Sequence, residues 1–396
     1  MKNTDTNKQK KPYNFTQLIK DILWVTVVVT LVQTFLLQSY AIPSSSMEGT
    51  MLTGDKLFVS KFTYGARIPI TPIAFPFVHN TMPILGTKSY VESVKLPYMR
   101  LPGLRKVRNG DIVVFNWPEG DTVTTKYQSA VSYYDLKRQM GEKEVNKRFE
   151  IITRPIDRKE NYVKRCIAIA GDTLEIKEGT IFINGKAFQE PPGVQHAYIA
   201  LIDASGFNYD RLKKIGVTEP PQELGTQRYV LHLNADTYEK VKAMSIVKQI
   251  EQYKEPAGQY NPRIFPYNDS LVWNKDNIGP LYIPKKGESV RLDSKVQYDL
   301  YMRAIRDYEN NPTLVWKDDK AYLDGKVLET YTFTKNYYWM MGDNRDNSQD
   351  ARFWGFTPED HIVGTPMFVW LSTDNTESPL AFWKWIRWGK SFRIPR

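Results

Sequence analysis

The sequence predicts a mainly β protein that carries one N-terminal transmembrane helix and a large inserted α+β region. The first observation is an uncharged apolar segment near the N-terminus, residues 22–42, which follows a basic tail. The second is a series of short apolar stretches between residues 43 and 186, separated by proline and glycine, a pattern typical of strands and turns. The third is a section of mixed patterning, residues 187–335, that interrupts this β series.

Composition places the chain among ordinary globular proteins and favours a membrane partner over nucleic acid. Of 396 residues, 41% are hydrophobic and 25% are charged, and the net charge is +10. The positive charge precedes the apolar segment and recurs among tryptophans at the C-terminus, and we find no nucleic-acid-binding motif. Cys166 is the single cysteine, so no intramolecular disulfide can form. The four histidines lack metal-ligand spacing, and the sequence predicts neither a metal nor a cofactor.

The N-terminal segment has the length and flanks of a membrane anchor. About 20 apolar residues cross a bilayer as a helix, and residues 22–42 supply this number. The basic residues of the tail, 1–21, predict a cytoplasmic N-terminus and place everything after Ile42 outside. A cleavable leader is the alternative, because Ser39-Tyr40-Ala41 is an acceptable small-x-small cleavage site. The retained anchor is our preferred interpretation.

The stretch from residue 43 to residue 186 reads as β structure with one surface helix. Residues 110–115 give a turn and then a buried strand, and residues 162–170 give a second strand. Residues 173–185 predict a hairpin-like pair of strands with Asn-Gly as a turn signal. The charged stretch 135–147 is expected to form the helix.

The section from 187 to 335 is expected to be an inserted second domain. Within it, Asn234 is a candidate helix cap, and apolar residues recur at near-helical spacing as far as Tyr253. Residues 287–292 and 321–327 echo the pattern of residues 171–186, which indicates a second β unit built like the first.

The C-terminal segment mixes indoles with cations, and two interpretations stay open. Trp383, Trp385 and Trp388 alternate with Lys384 and Arg387, which suits the headgroup region of a bilayer. A packed terminal helix explains the pattern equally well. The predicted organisation is a basic tail (1–21), a transmembrane helix (22–42), a first β part (43–186), an inserted domain (187–335), a second β part (336–372) and this aromatic, basic segment (373–396).

Candidate chemistry begins with the serines of Pro43-Ser44-Ser45-Ser46-Met47. A serine hydroxyl needs a base to become a nucleophile, but no histidine lies near this stretch and no Gly-x-Ser-x-Gly motif occurs. Lysine can act as a base once burial lowers its pKa. Lys164 lies in an apolar strand pattern and alternates in facing with Arg165, so it can point into a buried site while Arg165 points away. On its own, a lysine in a strand is more simply explained as a solvated surface residue.

The acidic run Asp343-Asn344-Arg345-Asp346-Asn347-Ser348-Gln349-Asp350 resembles a calcium loop only superficially. Counted from Asp346, position 6 is Ala351 and position 12 is Thr357, where an EF-hand needs glycine and glutamate. An acid–arginine cluster is the better interpretation. The Ser-x-x-Lys pair at Ser245 and Lys248 lacks its companion motif and is read as chance.

Three stretches in this order resemble type I signal peptidases: the Ser-Ser-Ser-Met loop, Tyr162-Val163-Lys164-Arg165-Cys166 before Gly171-Asp172, and the acidic run after Gly342. Residues 273–287 resemble an insertion of the Bacteroidota variant of that family. The resemblance implies a signal-peptidase-like β catalytic core. It assigns these roles: nucleophile Ser46, general base Lys164, oxyanion donor Ser44, lysine-orienting Ser348, and an Asp350–Arg352 pair. Departures from the family pattern at Glu48-Gly49, Ala170 and Ala351 affect local shape and none of the dyad residues.

The resemblance implies a membrane-anchored serine endopeptidase that removes signal peptides from exported preproteins through an acyl-enzyme. It would cleave after small residues at −1 and −3, on the outer face of the cytoplasmic membrane and in proximity to the secretion translocase. A catalytic loop close to the bilayer suits such a substrate. A LexA-like regulator shares this chemistry but needs a DNA-reading domain, which residues 1–42 do not offer. An inactive peptide-binding protein is the third alternative, and the intact Ser46, Lys164 and Ser348 argue against it.

Overall fold

The computed structural model describes residues 14–76, 78, 80–82, 87–203, 206–374 and 385–395. Its fold is mainly β with one apolar N-terminal helix, which confirms the predicted fold class. The α-helices are α1 (Phe15–Phe35), α2 (Tyr133–Met140), α3 (Glu142–Arg148), α4 (Tyr209–Lys214), α5 (Ala235–Lys242), α6 (Lys295–Arg303) and α7 (Ala351–Trp354).

The strands follow in chain order. The first eleven are β1 (Leu37–Ala41), β2 (Asp55–Ser60), β3 (Ile112–Asn116), β4 (Thr122–Thr124), β5 (Ile151–Thr153), β6 (Asn161–Ala168), β7 (Thr173–Lys177), β8 (Thr180–Ile183), β9 (Lys186–Ala187), β10 (His196–Ile202) and β11 (Gln222–Gly225). The others are β12 (Arg228–Leu233), β13 (Val247–Gln252), β14 (Ile278–Tyr282), β15 (Ser289–Arg291), β16 (Val315–Lys317), β17 (Lys320–Leu323), β18 (Lys326–Val327), β19 (Thr330–Thr332), β20 (Tyr337–Met341), β21 (Thr357–Pro358) and β22 (Ile362–Ser372).

Helix α1 is long and apolar enough to cross a membrane, with a mean hydropathy of 1.7 over its most apolar window. It begins at Phe15, after the Asn14 side chain accepts a hydrogen bond from the N–H of Gln17. It ends at Phe35, so the expected span 22–42 is shifted toward the N-terminus. The physical reason is strand pairing: β1 lies antiparallel to β2, and Ala41 faces Lys56 across the pair.

The main sheet has seven strands in the order β1-β2-β22-β3-β6-β20-β21. Strand β3 pairs with β6 over the residues Ile112–Asn116, and β6 continues against β20. The sheet therefore brings together chain segments that are far apart in sequence, namely the N-terminal strand, the lysine-bearing strand β6, and the strand before the acidic run. The charged stretch 135–147 forms two helices, α2 and α3, which meet at Gly141.

Residues 196–252 form a small sheet of their own in the order β11-β12-β10-β13, with α4 and α5 alongside. We call this unit the inserted sheet. Asn234 caps α5 as predicted, with a capping box to Thr237. The helix ends at Lys242, however, and the expected helical section as far as Tyr253 is wrong in its second half. Residues Val247–Gln252 are strand β13, because they hydrogen-bond to β10.

The rest of the expected insertion does not form a separate body. Residues between 264 and 333 share one hydrophobic core with residues from the β part on either side, including Ile167 and Trp339. The expected single domain 187–335 thus divides into the inserted sheet and an elaboration of the β core. The expected resemblance between the two β units is found only in part, and with other bounds. The meander β16-β17-β18 repeats β7-β8-β9, whereas residues 289–291 pair with β19.

The described C-terminal residues, 385–395, run back along the main sheet. Arg393 forms a bridge with Val369 of β22, and its guanidinium donates to the buried carboxylate of Asp55 at 2.7 Å. A single 3₁₀ turn covers Trp388–Lys390, so these residues do not form the packed helix considered above. Trp388 is 65% exposed. Trp383 and Lys384 lie outside the described residues.

Candidate functional site

The candidate nucleophile lies in a 3₁₀ turn, Ser45–Met47, directly after the first strand. Proline and hydroxyl residues disfavour a longer helix here. Met47 is buried in the core beside Ile42 and thereby anchors the turn. The hydroxyls of Ser44 and Ser46 are 3.4 Å apart. The N–H groups at the start of such a turn lack intrahelical acceptors, so they are available to bind an oxygen.

Lys164 contacts this turn from the facing strand. It lies on β6 opposite Val113 of β3, and its Nζ is hydrogen-bonded to Oγ of Ser46. The residue is only 3% exposed. Burial lowers the pKa of Lys164 to about 8, although the carboxylates of Asp350 and Asp343 act in the opposite direction. A lysine in this environment is neutral in a substantial fraction of molecules near neutral pH.

Ser348 lies beside the turn without a hydrogen bond to the lysine. Its Oγ is buried and has no hydrogen-bond partner among the described residues. A Cβ placed on Gly342 would lie 2.2 Å from this Oγ and 2.5 Å from the carbonyl oxygen of Ser46. Gly342 therefore allows the acidic run to pack directly on the nucleophile turn. The lysine-orienting role of Ser348 stays a prediction.

Asp350 and Arg352 form a buried two-point ion pair, with Nε–Oδ1 and Nη2–Oδ2 distances of 2.9 Å each. The arginine holds the pKa of Asp350 below its ordinary value in spite of burial. Asp350 also accepts a hydrogen bond from the N–H of Gly342 at 3.1 Å. The pair thereby fixes the backbone of the loop that packs on Ser46.

A second buried ion pair was missed by the sequence reasoning. Arg165 donates from Nε and Nη2 to the two carboxylate oxygens of Asp343 at 2.8 and 2.7 Å. Thr50, close after the nucleophile turn, donates to the same carboxylate at 2.6 Å. Arg165 does face away from Lys164, but it is buried and ties β6 to the acidic run. The sequence signal that could have predicted this ion pair is the position of Arg165 directly after Lys164 and of Asp343 directly after Gly342.

A cavity of about 440 Å³ lies between the end of α1 and the main sheet. Its lining includes Thr34 of α1, Ser39 and Tyr40 of β1, Asn161 of β6 and Val363 of β22. Beside it, an apolar cluster including Ile42, Val114 and Val363 packs against Tyr40 and Val163. The cavity meets the lysine-bearing strand at Asn161, whereas neither Ser46 nor Lys164 lines it.

A serine whose hydroxyl contacts a buried lysine amine defines a candidate serine-type hydrolase site, and the comparisons agree with it. The family model described as signal peptidase, peptidase S26, matches residues 15–222 and 271–371. This match covers more than half of the chain. The chain belongs to the signal peptidase family, and it is a serine-type signal peptidase enzyme.

Curated relatives support the same conclusion. Signal peptidase I of Helicobacter pylori strain ATCC 700392 / 26695 is 25% identical over 88% of this chain and 80% of its own length. That of Haemophilus influenzae is 22% identical over 96% of this chain and 74% of its own length. That of Buchnera aphidicola subsp. Baizongia pistaciae is 22% identical over 88% of this chain and 74% of its own length.

Proposed function

We propose that this protein removes N-terminal signal peptides from exported preproteins through a Ser46–Lys164 dyad. The observation that carries the proposal is the hydrogen bond between Lys164 Nζ and Ser46 Oγ in a buried site. Neutral Lys164 takes the hydroxyl proton as Ser46 attacks the scissile carbonyl carbon. Lys164 then passes this proton to the leaving amine, and an acyl-enzyme remains. Water, deprotonated by the same amine, hydrolyses the ester.

The developing oxyanion needs fixed donors, which the nucleophile turn supplies. The N–H of Ser46 lies at the start of the 3₁₀ turn, and Ser44 places a hydroxyl 3.4 Å from the nucleophile oxygen. In such sites one donor contributes about 10²–10³ in rate. Ser348, buried beside the turn, is proposed to turn toward the lysine amine and orient it during the reaction.

The substrate is proposed to bind as an extended strand. Strand β1 is the edge of the main sheet, and residues Asn161–Lys164 of β6 are paired with β3, whereas β20 pairs only from Arg165 onward. Among the described residues, two backbone edges without a strand partner therefore border the cavity described above, and an extended peptide can hydrogen-bond to such edges. The adjacent apolar cluster supports small, apolar side chains at −1 and −3.

Membrane topology follows from α1 and the basic tail. We propose that α1 anchors the enzyme in the cytoplasmic membrane with residue 1 inside, because basic residues precede the helix. The catalytic part then lies on the outer face, next to emerging preproteins and the secretion translocase. Protease added outside spheroplasts should digest the body of the protein and spare a tag at residue 1. Recovery of a soluble form that begins at Ile42 would contradict the anchor.

Activity is tested by incubating the detergent-solubilised full chain with a preprotein and sequencing the new N-terminus. We expect cleavage after a small residue at −1. Ser46→Ala should abolish the cleavage, whereas Ser45→Ala, which removes a hydrogen bond from Asn347 but no proposed catalytic group, should keep measurable activity. An active Ser46→Ala enzyme would show that another residue is the nucleophile.

A further inference from the structure

The carboxylate of Glu219 connects the inserted sheet to the residues around the nucleophile turn. Its Oε2 accepts from Nδ2 of Asn344, and its Oε1 accepts from Nδ2 of Asn347, both at 2.9 Å. The two asparagines belong to the acidic run, whereas Glu219 lies between α4 and β11. The carboxylate therefore bridges the insertion and the catalytic core.

The same two amides hold the residue before the nucleophile. Nδ2 of Asn344 also donates to the carbonyl oxygen of Ser45 at 3.2 Å, and Nδ2 of Asn347 donates to its hydroxyl at 3.1 Å. The N–H of Asn344 donates to the carbonyl of Ser46 at 3.2 Å. Each asparagine thus uses one amide nitrogen to connect Glu219 with the turn that carries Ser46.

Residues of the inserted sheet and of α4 hold Glu219 in place on the side away from the nucleophile turn. His232 of β12 lies with Nδ1 at 3.1 Å from Oε2 of Glu219, and its side chain is 8% exposed. The chain next to Glu219 is also fixed, because Tyr209 donates to the carbonyl of Thr218 at 2.8 Å. Hydrogen bonds to the ionised form hold the pKa of Glu219 below its ordinary value, although burial opposes this. The carboxylate is therefore a fixed acceptor for the two asparagine amides, with His232 and the Ser45 hydroxyl also hydrogen-bonded to it.

We propose that Glu219 is a positioning residue that sets the place of Ser46 through Asn344 and Asn347, so that the insertion takes part in the activity. The inference rests on the proposed role of Ser46 as nucleophile. In the part of the chain that the structure describes, Glu219 has no hydrogen bond to Lys164 and does not line the cavity under α1. It therefore acts on the geometry of attack and leaves the base and the peptide path unchanged.

The first test is Glu219→Gln in the full-length protein, with preprotein cleavage as the assay. Glutamine offers one acceptor oxygen and turns an NH₂ group toward the second amide donor, so one of the two bridges is lost. A displacement of about 1 Å at a reacting centre can cost 10²-fold, and we expect kcat to fall roughly 10- to 100-fold. KM should stay at the wild-type value, and so should the pH at which kcat/KM begins to fall on the acidic side of its pH profile. Glu223→Gln, an exposed change on β11, is the matched control.

A polarity exchange makes the test specific. Asn347→Asp alone sets two carboxylates against each other and should also lower kcat. In the double variant Glu219→Gln with Asn347→Asp, the glutamine NH₂ can donate to the carboxylate introduced at position 347, and the Ser45 hydroxyl can donate to the same group. We expect the double variant to recover at least about tenfold over the poorer single variant.

Thermal unfolding of each variant is followed beside activity. A double variant no better than the poorer single one would overturn the proposal, as would a Glu219→Gln enzyme with wild-type kcat. The proposal would also be overturned if the loss of kcat followed the fraction of unfolded protein and disappeared when the assay was run at a lower temperature. None of these results would contradict the proposed Ser46–Lys164 dyad, which Ser46→Ala tests separately.

Discussion

The pH dependence of kcat/KM tests the assignment of Lys164 most directly. Burial lowers its pKa from 10.5 to about 8, so about one tenth of the amines are neutral at pH 7, roughly 300-fold more than for a free lysine. In the proposed mechanism the neutral amine is the active form, so the rate should rise with pH, bend near pH 8 and then level off. Below pH 7, kcat/KM should fall about tenfold for each unit of pH.

The assay is initial-rate cleavage of a preprotein by the solubilised enzyme between about pH 5 and 9.5, a range that brackets the bend. Lys164→Met and Lys164→Arg should each abolish turnover, since methionine has no basic nitrogen and arginine does not deprotonate in proteins. The pKa of Lys159 is also lowered to about 8 by burial, but its amine contacts His361 at 2.8 Å. Lys159→Met is therefore the control, and it should keep the limb near pH 8. A limb that moved in this control, or an active Lys164→Met enzyme, would refute the reasoning.

Three further changes test other parts of the site. Gly342→Ala places a methyl group against the Ser46 carbonyl and should lower cleavage about 10²-fold, whereas Gly389→Ala, with open space around it, should not. Asp343→Asn leaves the buried Arg165 charge uncompensated, which should lower the free energy of unfolding by about 3–5 kcal/mol in denaturant titrations. The same change removes a carboxylate that raises the pKa of Lys164, so the acidic limb of the kcat/KM profile should move to lower pH. In a chain that lacks residues 1–35, replacing Trp385 and Trp388 with alanine should weaken co-sedimentation with anionic vesicles, and unchanged binding would argue against the interfacial interpretation.

The sequence was most informative where local pattern and tertiary pairing agree. The strand expected at 162–170 is observed as Asn161–Ala168, and the cap at Asn234 was also predicted correctly. The helix expected after Lys242 is wrong because Val247 and Ile250 lie three residues apart, which is a helical spacing. In the structure the pairing of β13 with β10 shifts register between Ile202 and Leu201, and this irregularity lets both residues pack against the same core. Pairing with a distant strand decided between helix and strand, and single-sequence patterns do not contain that pairing.

The candidate site was partly predictable for a similar reason. The motifs identified Ser46 and Lys164, but the contact between them depends on a sheet that joins segments 118 residues apart. Alternation correctly put Arg165 on the opposite face of its strand. It did not show that this face is covered as well, since β6 lies inside the main sheet and both of its faces are buried there. The buried Arg165–Asp343 pair followed from that covering.

Strand β1 has a consequence for the enzyme's own survival. Its Ser39 and Ala41 are small residues with one residue between them, which is the pattern proposed for the substrate. In the folded protein this segment is bound into the main sheet by five residue pairs with β2, and Ile42 donates to the carbonyl of Asp55 at 2.8 Å. A strand held in the enzyme's own sheet is not available as a flexible peptide for another copy. The pairing of β1 with β2 thus removes a substrate-like segment from the flexible state that the proposed cleavage needs.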